Sequence, residues 1–230
     1  MSAYQISAEG SKILSQTKLA LMVAPTSSGR NTIIRELIKT GEYHYLVSDT
    51  TRQPRVNDGL LEKNGVEYWF RTEEEVLEEL RTGMFLEAAI IHEQQVSGIS
   101  LREIKAAINE HKIAITDIEK AGVDTIIAAK PDSIVFFVVP PDFEEWQRRI
   151  KHRGEMTAAE HRRRMASALQ EFEHALNHKY YAFVVNDTID NALEQIHTKA
   201  VLGFNDLINQ VRGRKIVEHL YLETQKHLKN

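Results

Sequence analysis

The sequence predicts an α/β fold built on a central, mainly parallel sheet. Three observations carry that expectation. Short apolar runs of strand length alternate with amphipathic stretches of ~10 residues, the rhythm of βαβ units. The polar clusters able to carry chemistry fall at the ends of those runs, where parallel sheets bind ligands. The bulk of 230 residues, 42% hydrophobic and 27% charged, suits one large domain or two small ones.

The elements follow in order. Residues 1–17 are small and polar and read as a loose arm or short helix. Lys18–Val23 is a buried strand and Arg30–Lys39 the helix after the next loop. Tyr43–Val47 is a short strand running into an extended segment, Ser48–Arg55, in which Pro54 keeps Gln53 out of the helical region. Val56–Gly65 reads as a polar turn region and Val66–Phe70 as a strand. Thr72 and Glu75 form a capping box for a helix over Thr72–Thr82. Met84–Ile91 is a strand with Glu87 inside it. Leu101–His111 is a helix, Lys112–Ile118 a strand, and Ala121–Ala129 a helix stopped by Pro131. Ser133–Val139 is the clearest buried strand in the chain. Asp142–His152 and Thr157–Asn177 are helices around a break at Arg153–Met156, the second with Thr157 and Glu160 in capping-box positions. Tyr181–Val185 is the last strand, Ile189–Ala200 a helix, and Phe204–Leu228 a further apolar-spaced stretch.

Composition excludes several classes. Zero cysteines rules out disulfides, thiolate metal sites and a cysteine nucleophile, and fits a cytoplasmic location. No apolar run approaches the ~20 residues of a membrane span, and no secretory leader is expected. A net charge of −4 argues against a general nucleic-acid surface. Anion binding has to come from local basic clusters.

Several constellations stand out. Leu19–Thr32 passes from strand through Pro25 and Gly29 into a helix, the layout of a phosphate-binding P-loop; the plain alternative is an ordinary strand-to-helix turn. Backbone N–H groups of Ala24, Thr26, Ser27, Ser28, Gly29, Arg30, Asn31 and Thr32 would face a phosphate there. Arg52 and Arg55, three apart on an extended loop, can clamp one phosphate or stand as solvated charges. Arg148, Arg149, Lys151, Arg153, Arg162, Arg163 and Arg164 place seven basic residues within 17 positions around Gly154. That is the pattern of a lid closing over a polyphosphate, or of plain helix-surface charge. Glu87 inside an apolar strand needs a partner, and Asp117 and Glu119 sit at a strand end. His174 and His178 share a metal-ligand spacing on one helix, with no third ligand evident in the sequence.

In this order the segments resemble the guanylate kinases, P-loop nucleoside-monophosphate kinases. The resemblance covers about residues 18–200. APTSSGRNT stands at the P-loop. SDTTRQPR looks like S-x-T-T-R-x-P-R, the most specific match. GVEYWF, FLEAAIIH, ITDIEKAGV, RRIKHRG with RRRMASA, and VVND are similar to further family segments. The resemblance implies a P-loop three-layer α/β fold: an N-terminal arm (1–17), a domain over 18–200, and a C-terminal helical extension (201–230). Within the domain it implies a small GMP-binding subdomain (about 48–99) and a helical lid (about 142–168).

It also implies roles. Ser48, Arg52, Arg55 and Tyr68 would hold the GMP phosphate, and Glu87 would read guanine. Asp117 and Glu119 would orient nucleotides or Mg²⁺-bound water. Arg30, Arg149, Arg153 and Arg164 would act on the transferring phosphoryl group, and Asn186 would contact adenine. Mg²⁺ is the implied cofactor, with Thr32 as the candidate ligand. GMP and ATP are the implied partners, with neither nucleic acid nor membrane, and the C-terminal helix offers a dimer contact.

Departures centre on the ATP half. Ala24 stands for a Gly, Arg30 for the P-loop Lys, and Asn31 for the following Ser. Beyond His92 the second phosphate-binding Tyr is lost, and the stretch between Arg55 and Tyr68 is about four residues longer. The expected activity is therefore Mg²⁺-dependent transfer from ATP to GMP, slowed at Arg30-Asn31. The competing reading is a guanylate-kinase-like module with impaired catalysis that binds a nucleotide or protein partner.

Overall fold

The computed structural model describes residues 4–57, 59–91, 95–154 and 156–229. The expectations that fall on His92–Gln94 and Glu155 lie outside the described residues.

The chain opens with α1 (Ala8–Leu14), capped by the Ser7 hydroxyl, which accepts from the Gly10 N–H. β1 (Leu19–Val23), α2 (Arg30–Lys39) and β2 (Tyr43–Tyr45) follow. Then come β3 (Asp49–Thr50), β4 (Val56–Asn57), β5 (Leu60–Leu61), β6 (Trp69–Phe70), α3 (Glu73–Arg81), β7 (Phe85–Ile91) and β8 (Gln95–Ser100). α4 (Leu101–Asn109), β9 (Ile113–Asp117), α5 (Lys120–Ala129), β10 (Ile134–Val139) and α6 (Phe143–His152) come next. The chain ends with α7 (Ala158–Asn177), β11 (Tyr181–Val185), α8 (Ile189–Ala200) and α9 (Leu207–Lys229).

Packing divides these into two units. The first comprises Met1–Leu19, Gly41–Thr116 and Ala121–Ser133, a wider span than the expected subdomain at about 48–99. Within it β2 pairs in parallel with β9. A four-stranded sheet runs β6-β3-β8-β7, with β8 antiparallel to both neighbours. Its charged centre is Asp49, buried and bonded by Arg71 at 3.1 Å and Arg102 at 3.0 Å. Burial pushes the Asp49 carboxyl up, and the two guanidiniums oppose that push.

The second unit comprises Ala20–Thr40, Asp117–Lys120 and Ile134–Asn230. Its strands run β11-β10-β1, all parallel. Such strands read as unbroken apolar runs because both faces are covered: β10 and β11 are buried almost end to end. Phe137 on β10 packs edge-on against Phe172, Tyr181 and Phe183. α9 packs on α7 and β11. Gly213 permits that approach, since a Cβ there would lie 2.5 Å from the Phe183 Cβ.

Several expected elements shifted. Val66 is not in a strand; its N–H bonds the Lys63 carbonyl in a turn, leaving only Trp69–Phe70 extended. The stretch Val56–Gly65 holds a hairpin, β4 against β5. β8 was not expected at all. The Thr72 capping box is complete. At Thr157 only the hydroxyl half is present, because Glu160 turns to Arg164 instead.

Candidate active site

In the second unit, β1 delivers the chain into Ala24–Gly29, and α2 begins at Arg30. Ser27 and Gly29 both take left-handed backbone, with φ of 61° and 91°. A Cβ on Gly29 would sit 2.2 Å from the Asn186 amide nitrogen, so only Gly fits. Ala24 is not among the positive-φ residues, so Gly is not required there.

The loop's carbonyls are tied from behind. Trp146 Nε1 donates to the Thr26 carbonyl at 2.8 Å, and Asn186 Nδ2 donates to the Ser28 carbonyl at 2.7 Å. The Ser28 N–H closes a turn on the Pro25 carbonyl. Gly29 supplies no side-chain cap to α2; the Thr32 N–H turns back to the Gly29 carbonyl at 3.1 Å, and the N–H groups of Arg30 and Asn31 form the open end of the helix. The Ser27 and Ser28 hydroxyls are buried with no hydrogen-bond partner. Open N–H groups, a helix N-terminus and two orphaned hydroxyls make an anion cradle.

A cavity of 540 Å³ opens on this loop, and Arg30, Arg148, Arg149 and Arg153 line it. α6 carries Arg148 and Arg149, and Arg153 is its C-cap residue. Glu145, one turn earlier, holds Arg148 at 2.6 Å and Arg149 at 2.7 Å. Those two guanidiniums keep the Glu145 carboxyl far below the usual carboxylate range, at about 2. Arg149 also donates to the Asn186 carbonyl at 3.0 Å, and Arg153 to the Thr26 hydroxyl at 3.2 Å. Arg164, expected with them, pairs with Glu160 on its own helix and does not line this cavity.

Arg30 forms a 2.6 Å ion pair with Asp117, both partly exposed. The Thr32 hydroxyl accepts from Arg35 at 3.4 Å, and Glu119 is exposed. Glu171 on α7 was missed by sequence reasoning, where it is one acid among many on an amphipathic helix. Burial drives its carboxyl up to about 7, against the Ser167 hydroxyl bond and the charges of Arg30 and Lys120. Its Oε2 is buried without a hydrogen-bond partner. Asn186, expected to contact adenine, is 3% exposed with its amide committed to the loop. His174 and His178 stack at 4.1 Å, His174 Nδ1 lying 2.9 Å from the Tyr181 hydroxyl.

In the first unit, Arg52 lies 4.7 Å from the centre of the Tyr68 ring and 5.6 Å from that of Phe70. Buried Glu62 grips it with two bonds, of 2.6 and 3.0 Å, and raises its pKa. Glu62 also takes the Arg55 N–H at 2.9 Å, while Arg55 itself is exposed. Glu62 was not singled out in the sequence; its signal was the long stretch before Tyr68 that brings it back. The Ser48 carbonyl accepts from Trp69. Glu87 is half-buried on β7, opposite Ile99.

A strand–loop–helix anion cradle lined by arginines, on parallel strands, is the phosphate-binding layout of a P-loop protein. The sequence profile for Guanylate kinase matches residues 16–201. The chain belongs to the guanylate kinase family. It is 33% identical over 183 residues to a guanylate kinase of Trichormus variabilis, covering 79% of this chain and 88% of that one. It is 31% identical over 192 residues to Guanylate kinase 1 of Oryza sativa subsp. japonica, spanning 82% of this chain and only 48% of that protein. The guanylate kinase structure from Anaplasma phagocytophilum shares the fold, with a TM-score of 0.57 at 21% identity over 88% of this chain and 94% of that one.

Proposed function

We propose that the chain transfers the terminal phosphoryl group of ATP to GMP, giving ADP and GDP. The observation that carries this is the cradle at Ala24–Thr32, open toward phosphate and lined by three arginines besides Arg30. Phosphoryl transfer requires positioning and charge neutralisation rather than a protein nucleophile. A GMP phosphate oxygen attacks the γ-phosphorus, and the bond to the β–γ bridging oxygen breaks with its electron pair leaving on ADP. Arg149 and Arg153 neutralise the charge shared by the three equatorial oxygens. Arg30 meets the ATP phosphates with a planar fork where a Lys would act as a point charge.

GMP belongs to the first unit in this reading. Ser48, Arg52, Arg55 and Tyr68 take its phosphate, and Glu87 accepts from the guanine N1–H and amino group. Arg52, already held against the neighbouring Tyr68 and Phe70 rings, needs little reordering to receive phosphate, but it must share its donors with Glu62. Asp117 and Glu119 orient the nucleotides.

The donors near the cradle suit Mg²⁺. The Asn31 amide oxygen, the Thr32 hydroxyl and the carboxylates of Asp117 and Glu119 are all hard oxygens, which this ion takes directly or through water. When bound, Mg²⁺ supplies charge neutralisation of the ATP phosphates.

The test is product analysis. With ATP, Mg²⁺ and GMP, the purified chain should form ADP and GDP in equal amounts, and AMP in place of GMP should be a poor acceptor. Tight GMP binding with no ADP formed would make the chain a nucleotide-binding module instead.

A further inference from the structure

The geometry points to Trp146 as a positioning residue for the ATP-binding loop: its indole N–H, together with the Asn186 amide, holds Ser27 in the left-handed backbone that opens the cradle to phosphate. The inference rests on the reading of Ala24–Thr32 as the ATP site.

Ser27 is the loop residue least suited to its conformation. Its φ of 61° is one that L side chains avoid and glycine adopts freely. Such a conformation persists only where the surroundings over-determine it. Here they do so on both sides. The carbonyl before Ser27, that of Thr26, accepts from Trp146 at 2.8 Å. The carbonyl after the next peptide, that of Ser28, accepts from Asn186 at 2.7 Å. Both donors are fully or almost fully buried, Trp146 at 0% and Asn186 at 3% exposure. Both carbonyls are thereby pinned on protein donors, and the orphaned Ser27 and Ser28 hydroxyls are left for phosphate.

Trp146 is itself fixed. It sits on α6 between Phe143 and Phe172, at ring distances of 6.0 and 5.5 Å, both edge-on. The same helix bears Arg149 and ends at its C-cap, Arg153. Trp146 thus ties the cradle's backbone to the element that carries its arginines. It touches no reacting atom, and it acts through the Thr26 carbonyl.

The experiment uses the full chain and measures the dissociation constants of ATP with Mg²⁺ and, separately, of GMP. Trp146→Phe keeps the ring packing and removes the N–H. It should weaken ATP binding about five- to tenfold, the loss expected for one buried hydrogen bond, and leave GMP binding within about twofold. Adding Ser27→Gly should restore ATP binding to within about twofold of Ser27→Gly alone, since glycine holds the turn unaided. Unchanged ATP binding in Trp146→Phe, equal loss of both ligands, or no rescue by Ser27→Gly would each overturn the assignment.

Should Trp146→Phe not fold, the unaltered chain decides by nuclear magnetic resonance. The Trp146 indole proton should resist solvent exchange and shift on adding ATP but not GMP. A freely exchanging proton, or an equal shift with both, contradicts the tether. A parent chain that binds GMP and no ATP overturns the ATP-site reading itself. A parent that binds ATP, with Trp146→Phe indistinguishable from it, overturns the tether alone.

Discussion

At the scale of single residues, Glu171 shows what burial does to a carboxyl. It ionises near 4.5, the ordinary value for a glutamate, when unfolded and near 7 when folded. Between those values the folded chain holds a proton that the unfolded chain has lost. Stability therefore falls as pH rises from about 4.5 to about 7, and the loss is complete above that. Glu171→Gln, which cannot ionise, should match the parent in Tm near pH 4 and exceed it by several degrees at pH 8. Thermal unfolding across that range checks the point, and a difference independent of pH would contradict it. Glu87 is the opposite case, a carboxylate read directly from the sequence because it interrupts an apolar strand. Its proposed role on guanine predicts that Glu87→Ala raises the KM for GMP at least tenfold and leaves that for ATP within twofold. Equal loss of both would remove the guanine-reading role.

Elements show where sequence reading succeeds. β10 was plain because a strand buried on both faces is an uninterrupted apolar run. The helix starts at Thr72, Asp142, Thr157 and Thr188 lie at residues whose side chains accept the first open N–H groups. β8, Gln95–Ser100, carries no such run. It is a strand because β7 and β3 offer it partners on either side, which local composition does not announce. The cradle itself was legible as strand, loop and helix, but its two backbone tethers were not. Trp146 reaches Thr26 across 120 positions, and Asn186 reaches Ser28 across 158. The α6 arginine cluster was legible, and its anchor less so: Glu145 lies one turn before Arg149 yet reads as ordinary helix charge. With its folded pKa depressed to about 2, Glu145 stabilises the fold fully above the ordinary glutamate value of 4.5, and that stabilisation fades as pH falls through about 2. Glu145→Gln should therefore be less stable than the parent by a constant margin between pH 5 and 8, with the margin closing in acid. It should also raise the KM for ATP severalfold, because Arg149 loses its tie. Acid-titrated thermal melts and initial rates measure the two effects.

At the scale of the whole molecule, family membership rests on a profile match to residues 16–201 and on relatives about 30% identical over most of the chain. α9 lies beyond that match and packs on α7 and β11 of its own unit. No helix among the described residues is long and apolar enough to cross a membrane. The departures from the family pattern read in the sequence centre on the loop proposed to hold ATP. The structure shows that loop with its left-handed turns, open N–H groups and arginine lining in place. Arg30 lines it with Nη2 on Asp117 at 2.6 Å and Nε on the Asn31 amide oxygen at 3.4 Å. The most direct measurement is the rate of GDP formation from GMP and MgATP by the parent chain and by Arg30→Met. Steady turnover in the parent and a loss of about 10²-fold or more in the variant is the predicted result. A parent that binds GMP without forming GDP, or a variant as fast as the parent, would contradict it.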